Sequence, residues 1–208
     1  MKTVKIGNQI LIHADMHECL ASVGRFDLLL TDPPYGLGKK LLGGAGGGIV
    51  KKAAHGWDKE AANKRSLEAI RNLCTDAIIW GGNYFELPPS RAFLIWDKGP
   101  SMKGRSFAEC EIAWVSKDMN ARIATIAPTG KQEPPKIHPT QKPLQVMKWC
   151  LSFFPSAKTV FDPYMGSGTT LIACQDTGRH GTGIEMDEEY FQMACDRLSD
   201  HMRQRILY

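Results

Sequence analysis

A nearly continuous apolar run at residues 26–31 (FDLLLT) constrains the fold of this 208-residue chain more than any other feature. The run has the length of a strand, and a strand with one face in water would instead alternate apolar and polar side chains. Such runs are typical of strands buried on both faces, as in a parallel sheet that helices cover on each side. Other apolar runs alternate with helical patterns, and no linker separates them. The sequence therefore predicts a single α/β domain over residues 1–208 with a mostly parallel central sheet.

The hydrophobic periodicity also places the remaining elements. Strands are predicted at 9–14, 26–31, 77–80, 92–96, 112–116, 122–127, 159–161 and 182–186, and helices at 16–23, 59–73, 144–154, 169–176 and 188–205. A hairpin between the strands at 112–116 and 122–127 is one option. The segment 128–143 contains five prolines and is predicted to be an extended connection.

Composition excludes several classes of protein. Hydrophobic residues make up 43% of the chain and charged residues 23%, which is typical of neither disordered nor low-complexity chains. No apolar run is long enough to span a bilayer. The six cysteines lie far apart without a CxxC pair, which argues against a zinc site and for reduced thiols in a cytosolic compartment. The formal net charge of +4 permits a polyanionic partner without requiring one.

The first motif that carries chemistry is Asp32-Pro33-Pro34-Tyr35, directly after the strand at 26–31. Ligands of open α/β sheets bind at the carboxyl ends of strands, so the position of the motif favours a ligand site. The Asp32 carboxylate and the Pro33 carbonyl are predicted to accept hydrogen bonds from an amino group, with Pro34 fixing the backbone. The Tyr35 ring offers a face to a flat heterocycle. The alternative is a proline-braced turn capped by Asp32, or a peptide ligand for another domain.

The second motif, TVFDPYMGSGTT at residues 159–170, leads from a strand into a helix. Gly166 and Gly168 allow the backbone to approach a ligand closely, and the helix N-terminus presents free N–H groups. Leu171 replaces the third glycine of a dinucleotide fingerprint, so the motif suits a nucleoside ligand with a carboxylate and no phosphates. Glu185, at the end of the next predicted strand, is predicted to hold a ribose diol. A carboxylate at the start of the last helix is the alternative interpretation of Glu185.

The third motif, HPTQKP at residues 138–143, precedes an amphipathic helix. Thr140 as a helix cap and Pro143 in the first turn explain part of it. This explanation leaves His138 and Lys142 without a role, and Lys142 is predicted to pair with a ligand carboxylate.

Together the three motifs resemble those of the amino-methylating DNA methyltransferases. DPPY precedes the glycine turn, which is the order of the beta group of that family, and the resemblance extends from Ile10 to about Leu198. It implies a Rossmann-like, circularly permuted methyltransferase fold that uses S-adenosylmethionine. The implied reaction is methyl transfer to the N6 amino group of adenine in double-stranded DNA, with the target base rotated out of the helix. The resemblance assigns Asp32, Pro33, Pro34 and Tyr35 to catalysis. It assigns to the cofactor Asp15, His138, Thr140, Lys142, Asp162, Tyr164, Gly166, Ser167, Gly168, Thr169 and Glu185.

Some of the implied roles have two interpretations. Asp15 either accepts a hydrogen bond from the adenine amino group of the cofactor or caps the helix that begins at Met16. The glycine-rich basic loop at 36–58 either closes over nucleic acid or is a disordered connection. The predicted DNA-binding residues are Lys39, Lys40, Lys51, Lys52 and Arg122.

The segment at 117–136 leaves room for only a minimal target-recognition region, which favours a short or relaxed target site. This small size is typical of phage and prophage enzymes. The resemblance also implies a restriction-modification system in a bacterial cytoplasm, and the chain could form a homodimer. A cytosine-N4 methyltransferase is a competing interpretation, although those enzymes usually carry serine where Asp32 stands. An RNA methyltransferase and a catalytically silent DNA-binding protein are less favoured.

Overall fold

The structure, a computed structural model, describes residues 1–36, 62–105, 108–128 and 141–206, with side chains up to residue 204. Most of the predicted basic loop and part of the predicted recognition segment lie outside the described residues. The candidate site residues that lie outside them are Lys39, Lys40, Lys51, Lys52, His138 and Thr140.

The strands of the described residues form one nine-stranded sheet. They are β1 (Lys2–Ile6), β2 (Gln9–His13), β3 (Phe26–Thr31), β4 (Cys74–Trp80), β5 (Phe93–Asp97), β6 (Cys110–Val115), β7 (Arg122–Thr125), β8 (Thr159–Asp162) and β9 (His180–Glu185). Their order in the sheet is β1-β2-β9-β8-β3-β4-β6-β5-β7. Five of the eight neighbouring pairs are parallel, and the antiparallel pairs are β1–β2, β4–β6 and β5–β6. The prediction of an α/β fold with a mostly parallel sheet is confirmed.

Helices cover both faces of the sheet. They are α1 (Met16–Cys19), α2 (Lys64–Asn72), α3 (Leu144–Ser152), α4 (Thr169–Asp176) and α5 (Glu188–Ile206). The alternation of side chains along β3 explains how the strand is covered twice: Leu28 and Leu30 pack with α3 and α4, whereas Leu29 packs with α1 and α2. All three leucines are fully buried, as the apolar run predicts.

The long helix α5 packs on the part of the sheet formed by β1, β2 and β9. Phe191 and Leu198 on its apolar face are fully buried against Leu11 of β2 and against α4. Burying such a side chain contributes about 1.5–3 kcal/mol relative to leaving it in water. Because α5 also contacts β1, the first strand and the last helix of the described chain lie side by side.

The sequence predictions differ from the structure at several points, and the helix predicted at 59–73 begins only at Lys64. β1 was not predicted, because its short pattern of exposed and half-buried residues carries little apolar signal. The hairpin option for the strands near 112 and 122 is wrong, since β6 pairs with β4 and β5 while β7 pairs in parallel with the far side of β5. The first helix ends at Cys19, and a 3₁₀ turn at Leu20–Ser22 follows it.

The strand directions decide where a site can form. The parallel strands β2, β9, β8, β3 and β4 all end at one edge of the sheet, which we call the carboxyl edge. β5 ends at the same edge, whereas β6 runs the opposite way and therefore begins there. No helix in the described part of the chain is both long and apolar enough to cross a membrane.

Candidate active site

A cavity of about 340 Å³ lies at the carboxyl edge, between the residues that follow β2, β3, β8 and β9. Its volume falls within the range of small-molecule sites in proteins. The turn that follows β3 and the glycine turn that follows β8 therefore line the same cavity, although they are remote in sequence. The lining residues that the sequence motifs predict are Asp15, Asp32, Pro34, Lys142, Asp162, Tyr164, Gly166, Ser167, Thr169 and Glu185.

Asp162, at the end of β8, ties three elements together. Its carboxylate accepts hydrogen bonds from the hydroxyl groups of Thr31 (2.8 Å) and Thr170 (2.6 Å) and from the backbone N–H of Tyr164 (3.2 Å). The side chain is almost fully buried, and burial raises the pKa of this carboxyl to about 6. Asp162 therefore holds the end of β3 and the start of α4 against β8.

The glycine turn after Asp162 has backbone angles that suit glycine. Gly166 has φ +50° and faces open space where a Cβ would stand. Gly168 has φ +78°, and a Cβ there would lie 3.1 Å from the Cβ of Ala194, so this glycine permits close packing of α5. Unlike Gly166, Gly168 does not line the cavity.

Glu185, at the end of β9, joins the glycine turn to the start of α5. Its carboxylate accepts from the backbone N–H of Gly166 (3.0 Å) and of Asp187 (2.9 Å). Burial raises the pKa of Glu185 to about 7, although the two backbone donors oppose this shift. Asp15, at the end of β2, also lines the cavity and caps α1 by accepting from the N–H of His17 (2.9 Å). The capping interpretation of Asp15 is therefore confirmed, and its position leaves the cofactor interpretation open.

Asp32, directly after β3, lines the same cavity. Its Oδ2 is 2.5 Å from the ammonium nitrogen of Lys142, and the hydroxyl of Tyr35 donates to its Oδ1. Burial raises the pKa of Asp32, and the charge of Lys142 opposes that shift. The carbonyl of Pro34, two residues further on, accepts from the N–H of Ala62 (3.0 Å), which ties the motif to the residues just before α2.

The ring of Tyr35 packs on the turn that follows β4. It stacks on Tyr84 with ring centres 4.8 Å apart and meets Phe85 edge-on at 6.0 Å. Gly81 lies beneath it with φ +68°, and a Cβ there would lie only 2.1 Å from a ring carbon of Tyr35. The turn therefore needs glycine at this position, both for its backbone angle and for space.

Lys142 forms part of a chain of four charged groups. Its ammonium is 3.1 Å from Oε2 of Glu111, and Oε1 of Glu111 is 2.8 Å from the ammonium of Lys98. The Lys142 side chain is only 3% exposed and its nitrogen lies 5.0 Å from the centre of the Trp80 ring. Burial acts against the charge of Glu111, but the two lysines outweigh it and hold its pKa at about 2.

The structure leaves some predicted site residues apart from the cavity. Pro33 is buried within the turn, and Tyr35 adjoins Asp32 without lining the cavity. Arg122 begins β7, which runs parallel to β5, so it lies at the edge of the sheet opposite to the cavity. The structure therefore does not bring Arg122 together with the other candidates.

Several residues at the site were missed by sequence reasoning. Glu111 begins an antiparallel strand, so the rule that sites follow strand ends passes over it. Arg197 of α5 donates to the carbonyl (2.5 Å) and the hydroxyl (2.9 Å) of Ser167 in the glycine turn. Gln141 is buried and accepts from the Ser167 hydroxyl at 3.4 Å. Its place beside Lys142 in the third motif was the only signal for it.

Known proteins share both the sequence pattern and the fold. Residues 90–196 match a protein family described as DNA methylase. The Type II methyltransferase M2.LlaDCHI of Lactococcus lactis subsp. cremoris is 27% identical, over 92% of this chain and 90% of that enzyme. Among solved structures, M1.HpyAVI in complex with SAM is 23% identical with a TM-score of 0.59, over 90% of this chain and 98% of the other. The PvuII DNA methyltransferase (cytosine-N4-specific) is 14% identical with a TM-score of 0.62, over 96% and 93%. At these identities the two structures show a common fold.

Proposed function

This chain belongs to the DNA methylase family, and we propose that it transfers a methyl group from S-adenosylmethionine to the N6 amino group of adenine in DNA. The observation that carries the proposal is the cavity that Asp32 shares with Glu185 and the turn at Gly166. The acceptor for an amino group, Asp32, and the residues that would bind a nucleoside therefore line the same cavity. The Lactococcus lactis relative is a Type II methyltransferase, which supports a place in a restriction-modification system.

The cavity suits S-adenosylmethionine. A carboxylate has about four acceptor directions, and the two backbone donors to Glu185 leave others for a ribose diol. Asp15 lies in the same cavity for the adenine amino group of the cofactor, and Gly166 leaves room beside the backbone. Asp162 would contribute by holding the glycine turn, since its oxygens accept from three protein groups. When bound, the cofactor supplies a methyl group that the adjacent sulfonium makes electrophilic.

Asp32 would activate the target by orientation. The exocyclic amino group of adenine is a poor nucleophile, because its lone pair is delocalised into the ring. Asp32 and the Pro33 carbonyl would each accept one amino hydrogen, which favours a pyramidal nitrogen with its lone pair directed at the methyl group. Alignment of this kind lowers a barrier by about 7–11 kcal/mol in the best cases. The chain therefore contributes mainly geometry and electrostatics.

Tyr35 would receive the target base. Within a duplex the amino group is paired, so the base must leave the stack to reach Asp32. Tyr84 stacks on the Tyr35 ring, and the proposal places the extruded base against the same ring, next to Asp32. The close contact with Gly81 would hold the Tyr35 ring in position for this stacking.

Adenine is favoured over cytosine by Asp32, the first residue of the DPPY motif. The alternative is a cytosine-N4 methyltransferase, because the PvuII enzyme, which is cytosine-N4-specific, has the same fold. The placement of β8 between β9 and β3 supports the permuted beta group, because the strand before the glycine turn is central although it comes late in the chain. The basic loop, the recognition segment, the DNA contact of Arg122, the homodimer, the phage origin and the bacterial cytoplasm remain predictions.

The test is to incubate the protein with S-adenosylmethionine and unmethylated DNA, and to identify methylated nucleosides by mass spectrometry. We expect N6-methyladenine, whereas N4-methylcytosine would establish the alternative. Asp32→Ala should still bind S-adenosylmethionine in calorimetry but yield no methylated nucleoside, because it lacks the amino acceptor. Lys142, which also loses a partner in this variant, keeps its contact with Glu111.

The matched control is Asp118→Ala, which removes a carboxylate from an exposed ion pair with Arg91. This variant should keep both binding and transfer. Methyl transfer by Asp32→Ala at the wild-type rate would overturn the assignment of Asp32. Absence of cofactor binding in the wild type would favour a catalytically silent DNA-binding protein, and methylation of RNA alone would establish an RNA methyltransferase.

A further inference from the structure

The lysine beside Asp32 is unusual in its burial. Lys142 is 3% exposed, and its ammonium is satisfied by two carboxylates, those of Asp32 (2.5 Å) and Glu111 (3.1 Å). A buried ammonium strongly destabilises a protein unless it is paired and hydrogen-bonded. Glu111 has a second cation of its own, Lys98 at 2.8 Å. The four groups form a line of alternating charge that ends at Asp32.

We propose that Lys142 and Glu111 are positioning residues for methyl transfer: Lys142 holds the Asp32 carboxylate in its acceptor orientation, and Glu111 holds Lys142. The proposal rests on the proposed function, because it concerns the carboxylate that would accept the amino hydrogen. It replaces the prediction that Lys142 pairs with a carboxylate of the cofactor. Lys98 anchors the outer end of the line through Glu111.

The contacts explain why Asp32 needs a cation. An ionised carboxylate accepts an amino hydrogen more strongly than the neutral acid and carries no competing O–H donor, whereas the burial of Asp32 favours the protonated form. The ammonium of Lys142 favours the ionised form and fixes Oδ2, while the hydroxyl of Tyr35 contacts Oδ1. Each carboxylate oxygen has a second acceptor direction, so these two contacts still leave Asp32 able to accept from a ligand in the cavity.

Glu111 limits how far the charge of Lys142 weakens the Asp32 carboxylate as a hydrogen-bond acceptor. A lysine paired with Asp32 alone would place its whole charge on one carboxylate and make it a poorer acceptor. Glu111 takes a second hydrogen of the ammonium and adds a negative charge near Asp32. Asp32 is therefore attracted by the adjacent cation and repelled by the anion beyond it.

The other charged or titratable groups around this line are few among the described residues. Asp32 faces Lys142, Glu111 and Tyr35, and it also raises the pKa of Asp162 beyond Thr31. Lys142 faces the thiol of Cys150, which burial keeps protonated, and the ring of Trp80. Of these groups, Lys142 and Glu111 act on Asp32 with opposite signs.

The test compares the pH dependence of two neutral variants, Lys142→Met and Glu111→Gln, in single-turnover methylation of DNA. Transfer requires ionised Asp32, so the rate falls as the pH falls through the pKa of that group. Removal of the cation should move this acid limb to higher pH, because the charge of Lys142 favours ionised Asp32. Removal of the anion should move it to lower pH and reduce the maximal rate. Cofactor affinity, measured by calorimetry, should change little in either variant.

Three control variants separate positioning from a general loss of structure. Lys142→Arg keeps the cation and should keep the acid limb near its wild-type pH. Lys148→Met and Glu86→Gln remove one partner each from ion pairs with Asp176 (3.0 Å) and Lys64 (3.1 Å) and should leave the limb in place. A merely structural role for Lys142 and Glu111 predicts lower stability with an unmoved limb.

A direct titration keeps the proposal falsifiable without enzyme activity. The side-chain carboxyl of Asp32 can be followed by NMR in protein with ¹³C-labelled aspartate, with the signal assigned by its loss in Asp32→Asn. Its midpoint should rise in Lys142→Met and fall in Glu111→Gln. If Lys142→Met does not fold, Glu111→Gln alone decides. Midpoints that stay in place, or that move in the same direction, overturn the proposal, whereas a wild type that methylates no DNA overturns the proposed function and leaves this measurement valid.

Discussion

Asp162, which is buried, and Glu185, which is half-buried, end neighbouring strands but are held by different groups. Asp162 accepts from two side-chain hydroxyls and one backbone N–H, whereas Glu185 accepts from two backbone N–H groups. Burial raises both pKa values, to about 6 and about 7. Each group therefore favours its protonated form in the folded protein more than in the unfolded chain.

We predict that the cofactor-free protein loses stability as the pH rises from about 4.5 to about 7. The pKa of Glu185 is higher in the folded protein than its ordinary value of 4.5, so its contribution is complete below that value and is lost as the pH rises through 7. The shift corresponds to about 3 kcal/mol as an order of magnitude. Glu185→Gln should remove the contribution of Glu185 to this dependence in thermal melts and leave that of Asp162, and it should also abolish cofactor binding.

The control for this prediction is Glu188→Gln, one turn away at the exposed start of α5. It should leave the pH dependence and cofactor affinity unchanged. If Glu185→Gln keeps its cofactor affinity and only destabilises α5, the helix-start interpretation of Glu185 is the correct one.

Single residues at strand ends were predictable, and residues at strand starts were not. Asp32 follows β3, Asp162 and Glu185 are the last residues of β8 and β9, and the structure places all three on one cavity. Glu111 comes at the beginning of β6, whose direction depends on pairing with β4 and β5. Pairing is a long-range property, so no local pattern marks Glu111 as a neighbour of Lys142.

At the scale of elements, strands with strong apolar runs were predictable from the sequence, and strands with weak apolar runs were not. β3 and β8 are buried where the sequence predicts, because their runs have no competing periodicity. β1 has an exposed pattern and forms only because β2 offers an edge to pair with. The sequence suggested that β6 and β7 pair as a hairpin, but β5 lies between them in the sheet. The alternation of apolar runs and helical patterns along the chain does not determine the order of strands in a sheet.

The turn after β4 gives a prediction at this scale. Gly81→Ala should destabilise the protein by about 3–5 kcal/mol, because it adds backbone strain at φ +68° and a Cβ within the Tyr35 ring. Gly24→Ala is a matched control, since Gly24 has φ +82° with nothing near its missing Cβ. It should cost about 1–2 kcal/mol in denaturant unfolding.

The two glycine variants should differ in activity as well. Gly81→Ala displaces Tyr35, so methyl transfer should fall while the affinity for S-adenosylmethionine stays near the wild-type value. Gly24→Ala should transfer at the wild-type rate in the folded state. Equal effects of the two substitutions on unfolding and on transfer would contradict a close contact between Gly81 and the Tyr35 ring.

At the scale of the whole molecule, the cations divide by the edge of the sheet at which they lie. Lys98 and Lys142 are at the carboxyl edge but are engaged by carboxylates. Lys103 and Arg105, in the connection from β5 to β6, are exposed at the same edge. A duplex that delivers a base to Asp32 must approach from this edge, so these two exposed side chains are candidates for phosphate contacts.

The double variant with Lys103→Ala and Arg105→Ala should bind DNA more weakly and with a shallower salt dependence. Each lost phosphate contact lowers the slope of log K against log salt by about 0.9. The control replaces Arg91 and Lys158, which precede β5 and β8 at the opposite edge, and it changes the formal net charge of +4 by the same amount. Fluorescence anisotropy across a salt series should show the smaller slope in the first variant alone. The same slope change in both would mean that DNA responds to the overall charge of the protein, and the approach from the carboxyl edge would then have no support from binding.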